Sequence, residues 1–115
     1  MTEQEIRNMQ PGPDMDILLE VELFGKIRGG VGRNGLVGDG RYYSYPRLLS
    51  RSWEGAGLIV EEMRRRGWNV AILTRADGCG VGFAKDGQQY VADSTSAMHA
   101  VAMAALLALR GGEQR

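Results

Sequence analysis

Cysteine occurs once in the 115 residues, at Cys79, and histidine once, at His99. A lone thiol forms no internal disulfide, so the chain is compatible with a reducing compartment. A lone imidazole without a second ligand at useful spacing makes no zinc site. No catalytic triad or paired carboxylate stands out either, and the chain is expected to be neither an enzyme nor a cofactor carrier. Fourteen Lys and Arg balance fourteen Asp and Glu, so no bulk field draws the protein to nucleic acid or an anionic membrane. Long apolar runs are missing as well. The longest, Ala97 to Leu109, is broken by His99 and falls short of the roughly 20 residues a membrane-crossing helix needs. The start, MTEQEIRNMQPGPDMD, is too acidic and polar for a secretory signal. What remains is one modest domain with a single core, expected in the cytoplasm.

Glycine, by contrast, is plentiful, and it is concentrated. From Gly25 to Pro46 the chain reads GKIRGGVGRNGLVGDGRYYSYP, with seven glycines among Lys26, Arg28, Arg33 and Arg41, followed by Tyr42, Tyr43 and Tyr45. Glycine permits close backbone approach to a ligand but costs entropy to order. A structureless loop of this length in a small domain is either functional or disordered. Cations, free backbone N–H groups and flat rings together suit a phosphorylated, base-bearing ligand. The alternative is a solvated surface loop. Charge is also segregated: Glu3, Glu5, Asp14, Asp16, Glu20 and Glu22 precede a stretch holding Lys26, Arg28, Arg33, Arg41, Arg47 and Arg51 with only Asp39. Such asymmetry makes either a local anion site or a pairing between the two segments.

The flanks supply scaffolding. Residues 1–13 lack a core-facing pattern and end in Pro-Gly-Pro, which predicts an arm with at most a short helical turn. Asp14 to Phe24 has an apolar helical face, with Asp14 as cap, Gly25 as stop, and Asp16, Glu20 and Glu22 on a wet side. Around SWEGAGLIVEEMRRRGW, Ser50 or Ser52 caps a helix whose apolar side holds Trp53, Ala56, Ile59, Val60 and Met63, with Glu61–Arg65 and Glu62–Arg66 pairs and Gly67 at its end. Trp68–Leu73, Val81–Ala84 and Gln89–Ala92, separated by Asp77-Gly78 and Asp86-Gly87, predict a three-stranded antiparallel meander. Gly78, Gly80 and Gly82 suit either close approach to a ligand or tight packing of a helix on the sheet. Asp93-Ser94-Thr95-Ser96 then caps AMHAVAMAALLALR, a helix apolar nearly all round, ended by Gly111-Gly112. Burial on every side predicts a second helix or a second subunit against it, hence a homo-oligomer. The domain is thus expected over 14–110, with a frayed tail at 111–115. The fold class is α+β: a short antiparallel three-stranded sheet packed with about three helices.

Isolated motifs add little. GVGRNG matches a dinucleotide fingerprint formally, but no strand precedes it and no helix follows. His99 reads as a packed helix residue, although adjacency to Cys79 in space would permit a thiolate pair. Ser94 and Thr95 open the last helix, where backbone N–H groups favour phosphate, and ordinary capping explains them equally.

Taken together, MTEQEIRNM, GPDMDILLEVELFG, YYSYP before SWEGAGLIVEEMRRRGW, GCGVGF, and YVADSTSAMHAVAMAALLAL resemble the phage ABA sandwich domain, a family of small bacteriophage and prophage proteins. The glycine- and arginine-rich stretch departs from the family pattern. The resemblance implies an α/β/α-type sandwich and a phage origin, with no inherited catalytic residues. A phage protein of this kind is expected to act by binding in the host cytoplasm. The leading expectation is sequestration of a cyclic nucleotide or cyclic ADP-ribose-like immune messenger. Lys26, Arg28, Arg33 and Arg41 would neutralise phosphates, Tyr43, Tyr45 or Trp53 would stack on bases, and Ser94 and Thr95 would donate at the helix start. The competing expectation is a protein-interaction module that docks the basic loop on a host protein.

Overall fold

A capping box opens the chain: the Thr2 hydroxyl accepts the Glu5 N–H, and the Glu5 carboxylate accepts the Thr2 N–H, each at 3.1 Å. This reciprocal pair satisfies two donors at the start of helix α1 (Glu3–Asn8). The computed structural model describes residues 1–113. Helix α2 (Pro13–Glu22) begins with proline at its first position, where the missing N–H is of no consequence. Three two-residue strands follow, β1 (Ile27–Arg28), β2 (Val37–Gly38) and β3 (Tyr43–Ser44), paired antiparallel in that order. Helix α3 (Trp53–Arg65) starts from Ser52, whose hydroxyl accepts the Gly55 N–H at 2.9 Å. Strands β4 (Asn69–Arg75), β5 (Gly78–Lys85) and β6 (Gln88–Ser94) form a second antiparallel sheet in sequence order. Asp86 and Gly87, at φ 52° and 80°, make the tight turn between β5 and β6. Helix α4 (Ala97–Glu113) closes the chain, with the Ser96 hydroxyl accepting the His99 N–H.

The fold is α+β, with the expected three-stranded sheet joined by a second, smaller one. Helices α4 and α2 link the two sheets: α4 packs on β5 and β6, and α2 touches both α4 and the strands β1 and β2, while α1 and α3 pack on α4. Residues Ala100 to Ala108 are all buried. Along β5 the alternation is strict, with Cys79, Val81 and Phe83 buried and the intervening glycines partly open. Among the described residues no helix is long and apolar enough to cross a membrane.

Several expectations are corrected. Residues 1–13 are not a loose arm, because α1 docks on α4 through Ile6, which is fully buried. One apolar anchor in a six-residue helix is too little periodicity to notice. Gly12 rather than Asp14 precedes α2. Asp16 and Glu20 are buried, not wet. Of the two covers expected for α4, a second helix or a second subunit, the first is present: α1, α2 and α3 pack on it together with the larger sheet. Gly111 and Gly112 do not stop it; a Cβ on Gly111 would sit 2.2 Å from the Tyr90 hydroxyl oxygen, so the glycine lies within the helix, against the tyrosine ring. Helix α4 thus continues to Glu113, and of the tail expected to fray the last two residues lie outside the described residues. Trp53, assigned to the apolar side of α3, is 65% exposed. Gly78, Gly80 and Gly82 sit on the sheet face opposite Cys79, Val81 and Phe83, so they do not admit α4. Gly80 lies instead beneath the Arg75–Asp93 ion pair.

Candidate functional site

The stretch expected as a long loop is a ribbon held at both roots by buried charge. Asp16, Leu19, Glu20 and Leu23 fall at helical spacing on the inward side of α2 and its C-terminal extension. Asp16 accepts the Ser50 N–H at 2.7 Å and the Ser50 hydroxyl at 2.6 Å, and Arg51 reaches it through Nε and Nη2 at 3.2 and 2.8 Å. One turn on, Glu20 takes Nε and Nη2 of Arg47 at 3.1 and 2.6 Å together with the Arg47 backbone N–H. Burial pushes the Glu20 carboxyl up, and the hydrogen bonds from Arg47 outweigh it, leaving the group below its ordinary value. The Arg47 guanidinium also covers the Phe24 ring at 4.4 Å. The chain leaves α2 for the ribbon just beyond Glu20 and returns at Arg47.

Between those roots, positive φ at Gly25, Gly32, Gly35 and Gly40 turns the backbone, a region L side chains avoid. Gly38 serves a different purpose, since an added Cβ would stand 2.0 Å from the Tyr42 carbonyl oxygen. Asp39 accepts the N–H groups of Tyr42 and Arg41 at 2.7 and 2.9 Å, which hold its carboxyl below the ordinary range. Its hydrogen bonds are those of a turn residue, and the Lys26 charge adds a smaller pull in the same direction. Arg33 lies over the Tyr43 ring at 4.8 Å and Arg41 over Tyr42 at 5.4 Å. Lys26, Arg28, Arg33, Arg41 and Tyr45 are exposed, and Tyr43 is half-buried.

The remaining predicted residues lie elsewhere. Trp53 and Thr95 line an open groove of about 430 Å³ with Arg75, Asp77 and the start of α4, and none of the ribbon residues lines it. Arg75 is shared there between Asp77 and Asp93, each at 3.3 Å. Ser94 is engaged: its hydroxyl meets His99 Nδ1 at 2.9 Å and accepts the Ser96 N–H at 3.2 Å. His99 Nε2 meets the Met9 carbonyl oxygen at 2.8 Å. With both ring nitrogens committed, His99 activates no thiol, and it tethers the segment after α1 to α4. Among the described residues no cluster of three metal-ligating side chains occurs.

The single protomer therefore gathers Lys26, Arg28, Arg33, Arg41, Tyr43 and Tyr45 on the ribbon and leaves Trp53, Ser94 and Thr95 apart from them. The residues missed from sequence are Asp16, Glu20, Arg47, Ser50 and Arg51. Their signal was the charge segregation itself, together with the position of both carboxylates on the stripe shared with Leu19 and Leu23.

No protein-family model matches the chain, and no curated protein matches it. Among solved structures it is similar to a phage protein from Bacillus cereus ATCC 14579, crystallised at 2.0 Å, with a TM-score of 0.72 and 23% sequence identity. The alignment covers 85% of this chain and 90% of that one. At this identity the likeness shows a shared fold. The resemblance to the phage ABA sandwich domain is thus supported at the level of a phage-protein fold and not at the level of that family.

Proposed function

We propose that this chain is a phage-encoded binding protein, without catalysis of its own, that captures a small phosphorylated, base-bearing immune messenger of cyclic nucleotide or cyclic ADP-ribose type and withholds it from the host. One observation carries the reading. Among the described residues every arginine outside the ribbon is in an ion pair with a carboxylate, and Arg28, Arg33 and Arg41 inside it are not, nor is Lys26. A protein that matches its arginines so consistently elsewhere leaves three arginines of one ribbon without a carboxylate partner, Arg33 and Arg41 lying over tyrosine rings instead and Lys26 feeling Glu20 and Asp39 only at a distance. Phosphate oxygens suit these guanidinium groups through charge-assisted, bidentate hydrogen bonds, the exposed Tyr45 ring offers a face for a base, and Tyr43 would do so only if Arg33 left its ring. Titration calorimetry against a panel of cyclic mononucleotides, cyclic dinucleotides and ADP-ribose cyclic derivatives tests the reading. Binding is expected for at least one member, with at least a tenfold loss in Arg28→Ala/Arg33→Ala at unchanged far-UV circular dichroism. Silence across the panel removes it.

A second reading is favoured by different side chains of the same ribbon. Ile27, Val31, Tyr42 and Tyr45 are exposed apolar or aromatic residues, a composition suited to docking on an acidic, partly apolar protein surface. Copurification of one host protein, lost on Val31→Asp/Tyr45→Ala and retained on competition with nucleotides, would favour a host-protein target over a messenger.

A further inference from the structure

The free edge of the larger sheet is built to pair with itself. Among the described residues strand β4 has β5 on one side and no strand on the other. The opposite edge, β6, is covered where Arg7 of α1 donates to the Val91 carbonyl at 3.3 Å. The register of β4 on β5 runs unbroken from Asn69 to Arg75, with no proline, lysine or bulge among those seven residues. Natural sheet edges ordinarily carry one of these devices to prevent pairing. Ile72 and Leu73 at the middle of the strand are 47% and 62% exposed. Beneath the edge, Val60 and Arg64 of α3 and Trp68, Val70 and Ile72 line a groove of about 530 Å³ open along the strand.

We propose that β4 pairs antiparallel with β4 of a second copy across a twofold axis at Ile72, joining the two sheets into one of six strands. The occupant is identified by self-complementarity. In a closed twofold interface each contact is made twice, and in this register Ile72 meets its own counterpart, Ala71 meets Leu73, Val70 meets Thr74 and Asn69 meets Arg75. Apolar residues thus oppose apolar ones at the centre and polar residues close both ends. The same axis sets α3 beside its counterpart, running the opposite way. Helix α3 carries Glu54 in its first turn and Arg64 and Arg65 in its last, and although those arginines also pair with Glu61 and Glu62 of their own helix, antiparallel placement sets the acidic first turn of one copy towards the basic last turn of the other. An extended host peptide would gain the backbone pairing but not this match of helix charges. The proposal is independent of what the ribbon binds.

Sedimentation velocity of the full chain across 1–200 µM, with Ile72→Lys alongside, reads the association. The wild type is expected to form an even-numbered assembly and Ile72→Lys to fall to half its mass or less, because two ammonium groups would meet on the axis. Ile72→Cys gives a test that does not depend on the lysine variant folding. Cys79, the natural thiol, is buried, so mild oxidation is expected to yield a covalent dimer through Cys at 72 and none when the cysteine is placed at Val91 instead. A wild type that is monomeric at 200 µM, an assembly unchanged by Ile72→Lys, or equal crosslinking from positions 72 and 91 would overturn the proposal.

Discussion

Replacing Arg47 by methionine separates a buried ion pair from an ordinary surface one. The substitution keeps most of the aliphatic stem and removes the two side-chain hydrogen bonds to Glu20, at 3.1 and 2.6 Å, and the cation over Phe24. The Glu20 side chain is only 3% exposed, so water cannot rebuild a full shell around it, and the backbone N–H at position 47 alone remains. Breaking a buried pair from one side costs about 3–5 kcal/mol. The Arg47 side chain is 43% exposed, and solvent on that side reduces the expected loss to about 2–3 kcal/mol, a fall of roughly 10–15 °C in Tm for a domain of this size. Urea unfolding followed by circular dichroism measures it, provided the m-value is unchanged. A double-mutant cycle with Glu20→Gln isolates the pair, and a coupling of at least about 1.5 kcal/mol is expected at pH 7, against under about 0.5 kcal/mol for an exposed pair.

The sign of the pH dependence gives a second check. In the wild type Glu20 titrates below its ordinary value, so its contribution is complete above the unfolded carboxyl value of about 4.3 and is lost as pH falls through the lower folded value. In Arg47→Met the burial persists without the guanidinium, so acid relieves a stranded charge. The gap between wild type and variant should therefore narrow from pH 7 towards pH 3. A gap that is constant with pH, or a coupling below about 0.5 kcal/mol, refutes the argument that Glu20 is held by charge.

Other substitutions probe the rest of the frame. Gly55→Ala should raise helix propensity by up to about 1 kcal/mol, yet its Cβ would meet the Leu48 carbonyl oxygen at 2.3 Å and Leu49 Cα at 2.6 Å; a net loss of about 1–3 kcal/mol is expected in thermal unfolding, and a gain would show that α3 can withdraw. Gly38→Ala should disturb the ribbon, while Gly30→Ala, whose Cβ meets nothing within 4 Å, should not; amide chemical shifts of residues 25–46 distinguish the two, and matching spectra would contradict the close approach at Tyr42. Ile6→Ala should cost about 2–4 kcal/mol in urea unfolding, whereas a cost under about 0.5 kcal/mol would mean that α1 does not dock.

Elements with a strong period or a clear cap were legible in the sequence. Helix α3 is one, with Ser52, the Ile59 and Met63 stripe and Gly67 at φ 94°. The meander is another, since Asp86-Gly87 fixes its second turn, although each strand runs further than its apolar core because exposed ends such as Thr74 and Arg75 pair as well as buried residues do. Where the reading failed, long-range partners decided the outcome. Asp16 and Glu20 look solvated until Arg47, Ser50 and Arg51 are brought to them from about thirty residues away. Gly111 looks like a stop until Tyr90 is seen against it. The ribbon was hidden because its strands are two residues long and their pairing rests on glycine turns, which carry no hydrophobic alternation.

Two buried ion pairs one helical turn apart do little for net stability, since well-packed apolar residues would serve as well. What they do supply is register. A carboxylate that must meet a particular guanidinium fixes how far segment 47–51 lies along α2, where an apolar contact would let it slide. Because the ribbon leaves α2 beside Glu20 and returns at Arg47, both of its ends are fixed by the same bonds that keep Arg47 and Arg51 from acting as free cations. The segregation of charge in the sequence thus has two physical outcomes. The arginines after the ribbon are consumed in holding it, and Arg28, Arg33 and Arg41 within it have no carboxylate in an ion pair among the described residues. Ordering of the glycine-rich backbone is then met largely during folding, and the proposed ligand would face a smaller entropic cost at the ribbon than a free loop would impose.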